Sequence, residues 1–499
     1  MKWISTRRSS PAVPFIDALF AGTAPDGGLY FPEHFDPLPA PTLEALRSAE
    51  VVDIASTVGA HLLRDEITRA ALEPLVREAL DFPIPLVQVT DRAWVLELFH
   101  GPTRAFKDVG ARVQARLLHH FTDGTPLTIL VATSGDTGSA VAQAFHGVPD
   151  TRVVVLYPEG QVTDVQEAQM ASLGDNITAV SVRGTFDDCQ RLVKQAFADD
   201  EVRKQVWLTP ANSINLGRLL PQVFYYFILM RLVGPQGPSK LGPYGKEGGL
   251  VGAHGPSSAF AEVGSRRDPT SQRWLDGPRS RTVPADKKLG PYDPMIVSVP
   301  SGNFGNLTAG LIAKRIGLPV RHFVAATNVN DVVPEYLRSG IYEPRPSVRT
   351  VANAMDVGAP SNFERMRALY DDDIDRMRQD VKGAAFEDAR VVGEIGKVYR
   401  EHGYLLDPHG AIAWLGLQQA LDADPKATGV FLATAHPAKF REVVEPAIGQ
   451  RVELPAALAA ALARPRHSVP LPASYPELVD LVLRTDPSSQ NPNPNPTSA

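Results

Sequence analysis

A lysine follows a Gly-Pro turn and stands between an aromatic residue and an acid. An apolar, strand-like run ends at Gly101 and Pro102, and Lys107 follows between Phe106 and Asp108. An amine that links covalently to an aldehyde must be neutral for part of the time, and apolar neighbours favour the neutral form by removing water from the ammonium. A surface lysine whose stem packs on an aromatic ring has the same local pattern. Lys107 is therefore a candidate nucleophile, and evidence from other segments is needed to distinguish it from a surface lysine.

A turn of small residues lies between a predicted strand and a predicted helix. Residues 134–139 (Ser-Gly-Asp-Thr-Gly-Ser) follow the apolar run 127–133. The free N–H groups at such a helix start bind anions, and the hydroxyls of Ser134 and Thr137 suit a carboxylate or a phosphate. An ordinary helix start capped by Asp136 or Thr137 explains the same residues.

A second turn of this kind contains two glycines. Residues 301–306 (Ser-Gly-Asn-Phe-Gly-Asn) follow the predicted strand 295–299 and open a predicted helix over 307–315. The glycines let the backbone wrap closely around an anion, and the helix start supplies a favourable field. The spacing matches neither the dinucleotide fingerprint nor the P-loop. The phosphate of a tightly bound cofactor is a plausible guest, and an unliganded turn is the alternative.

Two further segments carry polar side chains beside predicted elements. Residues 212–218 (Asn-Ser-Ile-Asn-Leu-Gly-Arg) lead into a helix predicted over 219–227, and Arg218 adds a guanidinium suited to phosphate. A capped helix with a solvated arginine is the alternative. Thr434 and His436 follow the end of another predicted strand.

Composition excludes several classes of function. The 499 residues carry 50 basic and 56 acidic side chains, a net charge of −6, so no basic field for nucleic acid or an anionic membrane is expected. The single cysteine, Cys189, excludes internal disulfides and cysteine metal clusters, and no metal site is predicted. No apolar stretch reaches the roughly 18 residues of a membrane span, and no signal-peptide core is present. A soluble, cytoplasmic protein is expected.

Strand and helix patterns alternate after a first, mainly helical unit, which predicts a parallel sheet with helices on both faces. The strands are predicted at 127–132, 153–156, 295–299, 323–327 and 430–433. The predicted units are an N-terminal domain (1–90), a lobe carrying Lys107 (91–233), a low-complexity surface insertion (234–293), a second lobe carrying the 301–306 loop (294–465), and a C-terminal segment with a disordered tail (466–499).

Together these segments resemble the threonine synthases of the long bacterial and fungal type, a family of pyridoxal-phosphate enzymes of fold type II. The resemblance runs from residues 5–7 and 24–30 to the stretch 434–440 (Thr-Ala-His-Pro-Ala-Lys-Phe). Shorter matching stretches occur, in the same order as in the family, at 326–328, 354–356, 361–365 and 407–409.

The resemblance implies a two-lobed α/β fold with a parallel sheet, an extra N-terminal helical domain and pyridoxal 5'-phosphate as cofactor. Lys107 is implied as the catalytic lysine that links to the cofactor. The other implied cofactor-binding residues are Phe106, Asp136, Gly302, Asn303, Phe304, Gly305, Asn306 and Thr434. The implied substrate is O-phospho-L-homoserine, and the residues implied to bind it are Ser134, Thr137, Asn212, Ser213 and Arg218.

The implied reaction adds water at Cβ and releases phosphate from Cγ, giving threonine, with Lys107 as the acid–base group. The hydroxyl of Thr434 is implied to face the ring nitrogen and to leave it mostly neutral. The resemblance does not assign the protonation state or the role of Asp136. Many fold type II relatives have Asn there, which donates to the phenolic oxygen of the cofactor. An ionised Asp cannot donate, so Asp136 is either protonated or acts through its backbone.

Two other functions fit the same residues. A phospholyase on this scaffold would release a 2-oxo acid, ammonia and phosphate. A non-catalytic binding protein could retain the fold, although the intact Lys107 argues against it. No nucleic acid or membrane partner is expected, and the protein is expected to be a monomer or a homodimer.

Overall fold

The computed structural model describes residues 1–133, 135–232 and 295–484. The predicted insertion at 234–293 lies outside the described residues, as do Ser134 and the tail after residue 484. The strands within the described part are β1 (Trp3–Ser5), β2 (Tyr30–Pro32), β3 (Leu86–Gln88), β4 (Ala93–Glu97), β5 (Leu127–Ala132), β6 (Thr151–Pro158), β7 (Ile177–Arg183), β8 (Leu208–Thr209), β9 (Met295–Pro300), β10 (Val320–Thr327), β11 (Val381–Ala385), β12 (Gly429–Ala433) and β13 (Ser468–Pro472).

Helices connect and cover these strands. They are α1 (Phe15–Ala21), α2 (Ala40–Leu46), α3 (Val51–Leu62), α4 (Arg69–Ala79), α5 (Lys107–Thr122), α6 (Asp136–Phe145), α7 (Asp164–Ala171), α8 (Phe186–Ala198), α9 (Asp200–Gln205), α10 (Leu216–Leu219), α11 (Pro221–Tyr226), α12 (Gly305–Arg315), α13 (Val332–Ser339), α14 (Phe363–Leu369), α15 (Ile374–Asp380), α16 (Asp388–His402), α17 (Pro408–Ala423), α18 (Arg441–Ile448), α19 (Ala456–Ala463) and α20 (Tyr475–Arg484). Short 3-10 helices occur at Phe227–Leu232, Asn353–Met355 and Pro437–Phe440.

The first large sheet has the strand order β11-β10-β9-β12-β4-β3. Its strands are parallel except for β3, which pairs with β4 in the antiparallel direction. Every residue of β9 and β12 is buried, as expected of central strands covered by helices on both faces. Because the other five strands run the same way, their carboxyl ends meet at one edge of the sheet.

The second large sheet has the order β13-β7-β6-β5-β8, and all its strands are parallel. Its edge strand β13 comes from the C-terminal segment and contains Pro470 and Pro472. Proline lacks a backbone N–H, so it is tolerated at an edge where one side of the strand needs no partner. The segment 468–472 therefore completes the sheet that contains β5, β6, β7 and β8.

All five predicted strands are confirmed, and they lie within β5, β6, β9, β10 and β12. The helix predicted over 219–227 is wrong in detail. Helix α10 ends at Leu219, α11 begins at Pro221, and the chain continues as a 3-10 helix from Phe227. Proline at the first position of α11 suits a helix start, where its missing N–H is not needed.

The N-terminal unit packs directly on the helices that follow residue 212. Helix α3 lies against α4 and α11, and a Cβ on Gly59 of α3 would approach Phe224 of α11 to 3.1 Å. One hydrophobic cluster continues from Trp3 and Phe15 through both large sheets to Leu432. The N-terminal unit therefore supports the segment that carries Arg218.

Candidate active site

Two contacts join the carboxyl edges of the two large sheets. Lys439, which follows β12, donates from Nζ to Oδ1 of Asp136, which follows β5, at 2.6 Å. Asn303, which follows β9, donates from Nδ2 to Oγ of Ser213, which follows β8, also at 2.6 Å. Ligands of parallel α/β sheets bind outside the carboxyl ends of the strands. The predicted site residues therefore surround one region between the two edges.

Lys107 begins helix α5 in this region, and the turn before it is held by backbone pairing. The Phe106 N–H donates to the Thr434 carbonyl oxygen at 2.8 Å, and the His436 N–H donates to the Arg104 carbonyl oxygen at 3.0 Å. The structure thus brings Phe106 and Thr434, both predicted cofactor-binding residues, next to each other beside Lys107. The two residues are 328 positions apart, so only the sheet pairing of β4 with β12 brings them together.

The environment of Lys107 favours its neutral amine. Burial lowers the pKa of Lys107 to about 8, Asp136 opposes this shift, and the positive charges of Lys439 and Arg218 add to it. The sequence suggested apolar neighbours as the cause of such a shift. In the structure, burial is the largest cause and two cations contribute as well.

Asp136 is ionised, which answers the question that the sequence left open. Burial alone would raise its pKa. The charges of Lys439 and Lys107, with hydrogen bonds from Lys439 and from Gln166 Nε2 (3.0 Å), outweigh burial and bring the pKa of Asp136 below its usual range. A protonated Asp136 is therefore not supported.

Lys439 is a site residue that the sequence interpretation missed. Its Nζ also donates to the Thr103 carbonyl oxygen at 3.1 Å, in the turn before Lys107, and its side chain is 1% exposed. A lysine among the apolar and small residues 437–440 was the available signal. Charged side chains are almost never fully buried without a partner, but the sequence does not name the partner.

The 301–306 loop has the geometry of an anion site. A Cβ on Gly302 would lie 2.8 Å from the Ala354 carbonyl oxygen and from Met355 Cα, so only glycine fits there. Phe304 has a φ of +60°, in the left-handed region, and Gly305 begins helix α12. The free N–H groups of this helix start suit a phosphate.

Asn306 adds a donor to this loop. The hydroxyls of Tyr225 and Tyr226 both donate to Asn306 Oδ1 at 2.7 Å, which fixes the orientation of the amide. Asn306 Nδ2 is buried and has no acceptor among the described residues. A buried donor without an acceptor is costly, so this unpaired N–H fits an oxygen supplied by a bound group.

Two of the predicted substrate residues are connected to the rest of the site: Arg218 acts electrostatically on Lys107, and Ser213 contacts Asn303 of the 301–306 loop. Arg218 is buried on α10, donates from Nη1 to the Ala211 carbonyl oxygen at 2.6 Å, and has no acceptor for Nε among the described residues. Burial lowers the pKa of Arg218 to about 10, so it stays charged at neutral pH. Asn212 and Thr137 are both half-buried. Asn212 directly precedes Ser213, and Thr137 directly follows Asp136. Ser134 lies outside the described residues.

Within residues 1–133, 135–232 and 295–484, no helix combines the length and the apolarity needed to cross a membrane. In the same ranges, no group of three or more His, Cys, Asp or Glu side chains is arranged to hold a metal ion.

Comparison with known proteins places the chain in a family. Residues 2–80 match the family model of the threonine synthase N terminus, residues 82–216 that of pyridoxal-phosphate dependent enzymes, and residues 411–482 the threonine synthase C-terminal model. The threonine synthase of Escherichia coli (strain K12) is 38% identical over 483 residues, covering 97% of this chain and 99% of the relative. This chain belongs to the threonine synthase family.

Solved structures of the family have the same fold. The crystal structure of threonine synthase from Escherichia coli superposes with a TM-score of 0.80 at 37% identity, covering 97% of this chain and all of that one. Threonine synthase from Brucella melitensis, solved with pyridoxal phosphate bound, gives a TM-score of 0.80 at 35% identity, covering 97% and 99% of the two chains. The predicted fold type, enzyme class and cofactor are confirmed. The roles of individual side chains remain predictions.

Proposed function

We propose that this chain converts O-phospho-L-homoserine and water to L-threonine and phosphate with pyridoxal 5'-phosphate. The observation that carries this proposal is that Lys107, whose pKa burial lowers to about 8, shares one region with two anion-binding arrangements, which the Asn303–Ser213 hydrogen bond joins. One is the 301–306 loop, with an unpaired amide donor at Asn306. The other is the 212–218 segment, with an unpaired guanidinium N–H at Arg218. The reaction needs two such places, because both the cofactor and the substrate carry a phosphate.

The residues present fit the cofactor. Lys107 would hold it covalently, the 301–306 loop would bind its phosphate, and Phe106 and Thr434 would border its ring. When bound, pyridoxal phosphate supplies a ring that withdraws electrons from the substrate α-carbon. Thr434 would supply the hydroxyl partner of the ring nitrogen. A hydroxyl holds that nitrogen less strongly protonated than a carboxylate would.

Proton transfer, binding of the leaving phosphate and binding of the substrate carboxylate are assigned to different side chains. The Lys107 amine removes the protons from Cα and Cβ, delivers a proton to Cγ after phosphate has left, and returns a proton to Cα after water has added at Cβ. A pKa close to the working pH is best for these transfers. Arg218, Ser213, Asn212 and Thr137 bind the phosphate that leaves Cγ, since fixed donors stabilise a departing dianion. Ser134 and the backbone N–H groups at the start of α6 bind the substrate carboxylate. A cytoplasmic location and a monomer or homodimer belong to the same proposal.

The decisive variant is Lys107→Ala. Without the amine there is neither a covalent link nor a proton carrier, so threonine formation should fall by at least about 10⁴-fold and the visible absorbance of bound cofactor should disappear. Lys426→Ala, an exposed lysine just before β12 at the opposite edge of the sheet, is the matched control. Threonine and 2-oxobutyrate should be measured together, because a phospholyase would produce the 2-oxo acid. Near-normal threonine formation by the Lys107→Ala variant would overturn the proposal.

A further inference from the structure

A buried ion pair lies against the turn that presents Lys107. Lys439 Nζ donates to Asp136 Oδ1 at 2.6 Å and to the Thr103 carbonyl oxygen at 3.1 Å, and the two charged side chains are 1% and 4% exposed. Gln166 Nε2 gives the same carboxylate oxygen a second donor at 3.0 Å. The pair is thus fixed by hydrogen bonds from three segments: the turn before α5, helix α7, and the 3-10 helix after β12.

Stability alone does not explain such a pair. Removing two charges from water costs several kcal/mol, and buried ion pairs are often replaced by apolar side chains without loss of stability. The position of this buried pair beside Lys107 therefore indicates an effect on the Lys107 amine rather than a contribution to the stability of the fold. Opposite charges near an ionisable group change its protonation state in opposite directions.

The charged groups around Lys107 come from each element packed against it. Asp136 on α6, Lys439 after β12 and Arg218 on α10 all act electrostatically on Lys107. Asp108, the neighbour of Lys107 on α5, accepts hydrogen bonds from Thr103 and also interacts with Lys439. Burial, together with neighbouring positive charges that include Lys439, lowers the pKa of His436 to about 3, so His436 is neutral. Its Nδ1 accepts a hydrogen bond from the Ala438 N–H at 3.1 Å.

We propose that the Lys439–Asp136 ion pair sets the protonation state of Lys107, with Lys439 favouring the neutral amine and Asp136 the ammonium. The two are positioning residues, and their role deepens the proposed function because it concerns the same amine. In the intact pair the two effects partly cancel. The amine is then poised close to neutral pH, where it can both accept and return protons.

The sign of each change follows from the charges. Lys439→Met removes a cation and leaves the carboxylate of Asp136 beside Lys107, so the pKa of Lys107 rises. Asp136→Asn removes the counter-charge and leaves Lys439 and Arg218 to oppose the ammonium, so the pKa falls. Lys439→Met combined with Asp136→Leu removes both influences, and the pKa returns toward that of the parent. Lys439→Arg keeps the cation and should change the pKa least.

The test measures Lys107 in the cofactor-free, full-length protein, without relying on turnover. Trace acetylation with acetic anhydride across pH 6–11, followed by peptide mass spectrometry, gives the pH at which each lysine becomes nucleophilic. The exposed Lys426 in the same digest is the internal reference, and far-UV circular dichroism checks the fold. Because no cofactor or substrate is present, the result does not depend on whether the chain makes threonine.

We expect the Lys107 midpoint to rise by about one pH unit in Lys439→Met, to fall in Asp136→Asn, and to lie between them in the double variant. A Lys439→Met midpoint equal to or below that of the parent would overturn the proposal, as would a double variant shifted upward as far as Lys439→Met. If Lys439→Met does not fold, Asp136→Asn and the double variant still decide the question. The proposal fails if Asp136→Asn does not lower the midpoint relative to the parent, or if the midpoint of the double variant is as low as that of Asp136→Asn.

Discussion

Arg218 on α10 and Arg365 on α14 are both buried, and burial lowers the pKa of each, to about 10 and about 9. Their partners differ. Arg365 donates from Nε to the Tyr30 carbonyl oxygen at 2.8 Å, from Nη1 to Asn362 Oδ1 at 2.6 Å, and from Nη2 to the Ile214 carbonyl oxygen. Arg218 donates to the Ala211 carbonyl oxygen, and its Nε has no acceptor among the described residues.

This difference separates a structural arginine from one available to a ligand. Arg365 ties the N-terminal unit, the 212–218 segment and α14 together, because its three acceptors belong to those three parts. Arg218 keeps part of its hydrogen-bonding capacity unused while its charge acts on Lys107. A buried guanidinium with an unused donor is well suited to a planar, bidentate contact with phosphate.

Between the two arginines, the largest expected effect is on catalysis at Arg218. Arg218→Met should lower kcat/KM for O-phospho-L-homoserine by about 10³-fold, roughly 4 kcal/mol, because the leaving phosphate loses a charged donor. The free energy of unfolding should change by only about 1 kcal/mol, the net value of the bond to Ala211. Steady-state kinetics and urea unfolding measure the two quantities. Arg218→Lys should remain well below the parent, and normal kinetics in that variant would place the phosphate elsewhere.

The reverse pattern is expected at Arg365. Arg365→Met leaves three buried acceptors without donors, so the free energy of unfolding should fall by about 3 kcal/mol. The kcat/KM of the folded fraction should fall much less than in Arg218→Met. Urea unfolding followed by circular dichroism, with kinetics on the same preparation, tests this. If Arg365→Met lost activity without losing stability, the contrast between the two arginines would be wrong.

A smaller effect is expected where the two sheet edges meet. Ser213→Ala removes the acceptor of Asn303 Nδ2 and should lower kcat/KM by about fivefold, roughly 1 kcal/mol. Ser361→Ala is the matched control, because Ser361 contacts Asn303 through its backbone N–H, which the substitution keeps. Parallel kinetics of the two variants give the comparison. Equal losses in both would mean that the Ser213 hydroxyl has no particular role.

Local patterns were sufficient for the strands β5, β6, β9, β10 and β12 and for the chemical types of the site. Each predicted anion loop combines an apolar strand, small residues and a helix start, and these are properties of neighbouring residues. That is why Lys107, the 301–306 loop and Thr434 could be placed at strand or helix ends from the sequence. Among the strands that were not predicted, the short antiparallel β3 and the proline-containing edge strand β13 have no apolar period of their own.

The amino-acid sequence specifies which side chains are available, whereas the contacts of each side chain depend on how the two large sheets pack. Asn215 and Arg218, like Asn362 and Arg365, have the same Asn-x-x-Arg spacing at a helix start, so no local pattern separates the ligand-type arginine from the structural one. Asp136 and Lys439 are separated by 303 positions, and their contact fixes the charge of Asp136. Protonation and hydrogen-bond saturation depend on burial and on partners distant in the chain, which arise only when the two sheets pack together.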